Sequence, residues 1–234
     1  MIKFFIRRLE LDSFGLRYCH YNGWIDFCQG WRYTGAMDKN VSKNMDKALA
    51  LDLLADAARL AEILPEVWAL KDCRQLGPHH QEGDVLTHVK ELIKNLPPAA
   101  SPELVWAGIL HDIAKPATRV EREREGEIIT QFFNHEVLGA DLADKVTARL
   151  GLEEKSRGKI SWLVRNHMRI LALPQMREGK AKEFVQHPYF SDLLKLFRAD
   201  LAASIARDEV WKKKSKELLR AVEEVVGRWA DKEE

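Results

Sequence analysis

From Asp46 to the C-terminus, apolar residues return every three or four positions, and prolines cut the pattern into segments of helix length. This periodicity is the strongest constraint on the fold, because a stripe with a 3.6-residue period is buried by packing helix on helix. Residues 46–64 are rich in Ala and Leu, with Asp52, Asp56 and Arg59 along one polar face. Pro65 is expected to end that helix. A second helix is expected at 84–96, stopping at Pro97-Pro98. Ser101-Pro102-Glu103 reads as a helix start, with Ser as N-cap and Pro at the first position, and the helix runs to about Asp112, ahead of Lys115-Pro116. Further helices are expected at 135–150, 154–168, 190–207 and 208–230. Residues 119–133 carry charges, then Gly126, Ile128, Ile129, Phe132 and Phe133, the pattern of a loop or short hairpin. The expected class is all-α: one bundle-like core with a loop or hairpin insertion near 119–133.

The first forty residues differ. Nine aromatics fall there (Phe4, Phe5, Phe14, Tyr18, Tyr21, Trp24, Phe27, Trp31 and Tyr33), with neither helical nor strand period sustained. They read either as an irregular appendage or as an upstream extension, so the expected division is an extension at 1–44 and a domain at 45–234. A net charge of +1 argues against a strongly basic nucleic-acid footprint at whole-chain level. Cys19, Cys28 and Cys73 do not make a disulfide framework. No apolar run reaches membrane-spanning length, and the apolar stretch of MIKFFIRRLELD is too short for a secretory signal, so a cytoplasmic setting is expected.

The chemistry sits on the core-facing stripes. Val85, Val89, Leu92, Ile93 and Leu96 share a face with His88 at its edge. Leu104 and Gly108 align with His111 and Asp112. His135 heads a face made by Leu138, Gly139, Leu142 and Val146. His167 aligns with Ile160, Leu163 and Val164, and Asp200 lies among Leu193, Phe197 and Ser204. A buried carboxylate costs several kcal/mol unless it is paired or bound to metal. Singly, an inward His is more often a satisfied core residue and an inward Asp a cap. Jointly, four histidines and two aspartates favour a divalent metal site, and imidazole with carboxylate suits Mn, Fe, Co, Ni or Zn. Gly108 and Gly139, one turn from these residues, would let neighbouring helices approach.

The order His88, His111-Asp112, His135, His167, Asp200 resembles the HD-domain superfamily of metal-dependent phosphohydrolases. The flanking text HHQEGDVLTHV (79–89), GILHDIAKPATR (108–119), FFNHEVLGADLA (132–143) and WLVRNHMR (162–169) is similar to the HD portion of bacterial CCA-adding tRNA nucleotidyltransferases and poly(A) polymerases. The likeness covers roughly Leu49 to Asp200, and the nucleotidyltransferase head has no counterpart in the sequence.

The resemblance implies that His88, His111, Asp112 and Asp200 hold one ion, and that Asp112 bridges to a second held by His135 and His167 in two-metal members. Mn, Ni, Co, Fe, Mg and Zn, as one ion or two, stay open. Asp112 and Lys115 are the expected catalytic residues, with Lys115 meeting a phosphate; as a lysine at a helix end it would equally serve the helix dipole. Arg119, Arg169 and His80 are further candidates for substrate contact. The expected reaction is hydrolysis of nucleotide phosphoesters, as 2′,3′-cyclic phosphodiesterase or phosphomonoesterase. A diiron oxygenase and a non-catalytic RNA- or partner-binding module are the alternatives. A small phosphorylated substrate is the expected partner, RNA is a further one, no membrane is involved, and Trp residues near the termini would allow a homodimer.

Overall fold

A computed structural model describes residues 10–11, 17–18, 44–75, 83–124, 126–204 and 209–230. It is predominantly helical, in agreement with the all-α expectation. The elements are β1 (Glu10–Leu11), β2 (Arg17–Tyr18), α1 (Lys47–Ala55), α2 (Ala57–Ile63), α3 (Pro65–Trp68), α4 (Val85–Asn95), α5 (Pro102–Leu110), α6 (Lys115–Thr118), β3 (Arg119–Arg124), β4 (Glu127–Phe132), α7 (His135–Arg149), α8 (Glu154–Asn166), α9 (Glu178–Val185), α10 (Phe190–Ser204) and α11 (Glu209–Ala230). Two 3₁₀ turns, Ala69–Asp72 and Arg169–Gln175, join neighbouring helices.

The helix expected at 46–64 is two helices. Asp56 closes α1 and opens α2, where its carboxylate accepts from the backbone N–H groups of Ala58 and Arg59. That local capping competes with helix continuation. Pro65 follows the end of α2 at Ile63, as expected, and also starts α3, where a missing N–H costs nothing at the first position. Ser101 caps α5 by accepting from Leu104 N–H, as the sequence indicates.

The segment 119–133 is a hairpin. β3 and β4 pair antiparallel, with Arg119 opposite Phe132 and Arg124 opposite Glu127, and Gly126 takes φ +82° at the turn. β2 pairs with the outer edge of β3 and β1 with β2, completing a four-stranded sheet. The other aromatic-segment residues lie outside the described residues.

The core is built where α7 packs on α8, α4 on α10 and α5 on α8. Trp106, Leu92, Ile93, Leu104 and Ile109 are fully buried there, each worth roughly 1.5–3 kcal/mol of transfer free energy. Gly108 permits the close approach of α4 and α5: a Cβ there would lie 2.9 Å from Leu92 Cδ2 and from Ile93 Cδ1. Gly139 does the same for α7, where a Cβ would lie 3.3 Å from Val164 Cγ1. Both glycines thus draw together the elements that carry the histidines.

Candidate metal centre

Six side chains converge where five segments meet. His88 comes from α4, His111 and Asp112 from the turn after α5, His135 from the first residue of α7, His167 from the turn after α8, and Asp200 from α10. His88 Nε2 lies 2.9 Å from Asp200 Oδ1, and His111 Nε2 lies 3.0 Å from Asp112 Oδ2. His135 Nε2 and His167 Nε2 lie 3.4 and 3.9 Å from Asp112 Oδ1. Asp112 therefore turns one oxygen toward His111 and the other toward the His135–His167 pair. Two triads have donor atoms close enough to share a cation: His88, His111 and Asp112, and Asp112, His135 and His167.

A recurring local device orients the rings. His111 Nδ1 lies 2.9 Å from Gly108 O, His135 Nδ1 2.9 Å from Phe132 O, and His167 Nδ1 2.7 Å from Val164 O. In each case the carbonyl lies three residues upstream, and for α5 and α8 it belongs to the last helical turn, whose carbonyls lack helical partners. Helices expected to run through His111 and His167 end at Leu110 and Asn166. With Nδ1–H donating to a carbonyl, Nε2 is left as the lone pair facing the centre. Before His135, Asn134 takes φ +55°, a left-handed conformation that asparagine tolerates, and so turns the chain sharply from β4 into α7.

The donor set fits a cation. Burial, then the neighbouring His111 and His135 rings, push His167 down to about 3, so it is a neutral ligand-type imidazole. Burial would raise the Asp112 carboxyl, but His111 and Lys115 outweigh it and hold the group well below the usual carboxylate range. Asp200 is also lowered, to about 2: burial opposes this, and the His88 hydrogen bond and charge prevail. Asp112 pairs with the Lys115 ammonium and Asp200 with His88, while Nε2 of His111, His135 and His167 is left as a lone pair. A divalent ion would satisfy these without any buried imidazolium.

The centre is sealed on most sides. The side chains of His111 and Asp112 are 2% exposed, whereas those of Lys115 and Asp200 are 12% and 28% exposed. Asp200, expected to point inward with the others, meets His88 at the edge of the cluster and is its most exposed member.

This arrangement coincides with a family match. Residues 73–187 match the HD domain model, a span that holds His88, His111, Asp112, His135 and His167. The chain carries an HD domain. HD domains are metal-dependent phosphohydrolases as a class. The multifunctional CCA protein of Halorhodospira halophila is 28% identical over 199 residues, covering 77% of this chain and 46% of that protein. The A-adding tRNA nucleotidyltransferase of Deinococcus radiodurans is 31% identical over 167 residues, 69% of this chain and 37% of that protein. The multifunctional CCA protein of Aromatoleum aromaticum is 34% identical over 116 residues, 49% of this chain and 27% of that protein. The chain spans less than half the length of each.

Around the HD centre, Lys115 opens α6 and its Nζ lies 2.7 Å from Asp112 Oδ2. It also donates to Gln75 Oε1 at 2.8 Å and lies 5.2 Å from the centre of the Phe132 ring. Arg119 is cross-strand from Phe132 and pairs with Glu121 at 2.6 Å. The Arg169 guanidinium lies 4.5 Å over the Phe184 ring. His80 lies outside the described residues. Gln75 and Phe132 were not singled out by the sequence. Gln75 is 40 residues from Lys115 and belongs to no periodic face, so nothing local signals their contact. No helix among the described residues is long and apolar enough to cross a membrane.

Proposed function

We propose that this chain is a phosphohydrolase acting on nucleotide phosphoesters, with 2′,3′-cyclic phosphodiesterase or phosphomonoesterase activity. The observation that carries the reading is the split of Asp112, one oxygen toward His111 and the other toward the His135–His167 pair, with Lys115 alongside. His88, His111, Asp112 and Asp200 would hold one divalent ion, and Asp112, His135 and His167 a second. Such ions supply an acidified water and a Lewis-acid contact to a phosphoryl oxygen.

The protein's own residues do the remaining work. Lys115 offers a fixed positive charge to a phosphoryl oxygen. Its position at the more exposed side of the cluster suits a substrate that enters from solvent. The carbonyls of Gly108, Phe132 and Val164 hold the imidazoles in one tautomer, so no reorganisation is needed when substrate binds. The apolar shell of α4, α5, α7 and α8 keeps bulk water from the deep triad, which strengthens every charge interaction there. The names of the relatives, one a tRNA nucleotidyltransferase, support a nucleotide or an RNA end as the substrate class.

The test is hydrolysis of a panel by metal-stripped protein with Mn, Ni, Co, Mg or Zn added back singly. The panel holds 2′,3′-cyclic nucleotides, 3′,5′-cyclic nucleotides, nucleoside monophosphates and an aryl phosphodiester, with Asp112→Ala run in parallel. Metal-dependent turnover that disappears in the variant is expected. Full activity in Asp112→Ala sinks the assignment, and iron content with an oxygen-dependent visible spectrum would replace it with an oxygenase.

A further inference from the structure

We propose that Gln75 is a positioning residue that sets the place and the effective charge of Lys115 for a phosphoryl group; the proposal rests on the phosphohydrolase reading. A lysine ammonium is a point charge on a flexible four-carbon stem, so it binds an anion at a defined place only if something fixes it. Here two partners do so: Asp112 Oδ2 forms an ion pair at 2.7 Å, and Gln75 Oε1 accepts a hydrogen bond at 2.8 Å. The third direction is bounded by the Phe132 ring, 5.2 Å away.

The two partners are not equivalent. Asp112 is a carboxylate facing the histidines, and alone it would draw the ammonium into a simple ion pair. Gln75 accepts a hydrogen bond from the ammonium without adding negative charge. The amide thus fixes the direction of Nζ while the positive charge stays available to a ligand.

Gln75 is itself firmly held. It is 3% exposed. Its N–H donates to Gly83 O at 3.4 Å, Val85 N–H donates to Cys73 O at 3.1 Å, and Arg74 bridges to Asp84 between them. That antiparallel neck leads straight into α4, where Asp84 is the N-cap and His88 lies one turn on. Gln75 therefore ties the Lys115 ammonium to the segment that carries His88.

The experiment is isothermal titration of inorganic phosphate into the Mn-loaded protein, for wild type, Gln75→Met, Gln75→Glu, Lys115→Met and the Gln75→Met/Lys115→Met double variant. Gln75→Met removes the acceptor at similar volume and is expected to weaken phosphate about tenfold, the scale typical of residues that orient a ligating group. Gln75→Glu keeps an acceptor beside the ammonium and is also expected to weaken phosphate, because a second carboxylate cancels the ammonium; the double variant below separates this role from a purely structural one. In the Lys115→Met background, Gln75→Met is expected to cause no further loss. Phosphate binding equal to wild type in both single Gln75 variants overturns the proposal, as does a full tenfold loss that persists without Lys115. Absence of phosphate binding to the wild type overturns it as well. Lys115-dependent phosphate binding without turnover on any phosphoester would instead remove the phosphohydrolase reading and leave the role of Gln75 standing.

Discussion

His135 and His167 face each other through their Nε2 atoms at 3.2 Å, while each places Nδ1 against a backbone carbonyl. Two rings held in that tautomer present two lone pairs to one another, with Asp112 Oδ1 at 3.4 and 3.9 Å. Such an arrangement is unfavourable unless a cation lies among the three atoms. The same holds for His111 Nε2 and Asp112 Oδ2 at 3.0 Å. Asp112 is common to both clusters, which makes it the residue whose change is felt by both.

Metal loading should follow that logic. Asp112→Asn, which keeps shape but removes the charge, is expected to abolish uptake at both triads. His135→Ala should empty only the triad of Asp112, His135 and His167. Metal content per chain after dialysis, measured by plasma mass spectrometry, separates these outcomes. Unchanged metal content in Asp112→Asn would refute the role of the carboxylate.

The convergence of His88, His111, Asp112, His135 and His167 was legible because each lies on, or within two residues past, a helix whose apolar stripe faces the core. Periodicity records which way a residue points, and five inward polar groups in one bundle must meet near its middle. Two features were not legible for the same reason. Asp56 on a polar face and Asp56 as a cap look identical in sequence, so the break between α1 and α2 stayed hidden. Gln75 and Phe132 reach Lys115 through tertiary contact from a neck and a hairpin, where no period reports side-chain direction.

Away from the centre, Arg149 reaches from α7 to α3 and donates to both oxygens of Glu66 at 2.8 Å and to Ile63 O at 3.2 Å. Glu66 is 1% exposed, and burial raises its pKa despite the arginine. Arg149→Met would strand this carboxylate and is expected to cost about 3–5 kcal/mol at neutral pH. Because the stranded group gains a proton more readily in the folded state, the loss should shrink as pH falls toward the ordinary glutamate value. Glu66→Met combined with Arg149→Met should lose much less. Urea unfolding of the three proteins at two pH values measures both effects.

Asp192 gives the opposite sign. Burial opposes its ionisation, but hydrogen bonds from Lys159 and Lys195 prevail and lower its pKa. A depressed carboxylate contributes stability that is complete above its unfolded value and is lost as pH falls through the folded one. Asp192→Asn should therefore destabilise the protein at neutral pH and leave it nearly equal to wild type once pH lies below both values. Parallel pH-unfolding curves with a constant gap down to pH 2 would contradict this assignment.

Cys73 sits on the neck beside Gln75, is 4% exposed, and burial pushes its thiol up to about 12. Only the thiolate is a good nucleophile, so at pH 8 the reactive fraction is very small and access is poor as well. The nearby Lys115 and Arg119 charges pull in the other direction but do not overcome the burial. Iodoacetamide at pH 8 is expected to leave the Cys73 peptide unmodified in native protein for hours and to label it within minutes in urea. Peptide mapping by mass spectrometry reads Cys73 apart from Cys19 and Cys28. Gln75→Met, which keeps the backbone bonds of the neck, should leave Cys73 protected. Rapid native labelling in wild type would show that the neck opens readily, and that the anchoring of Gln75 is weaker than its hydrogen bonds imply.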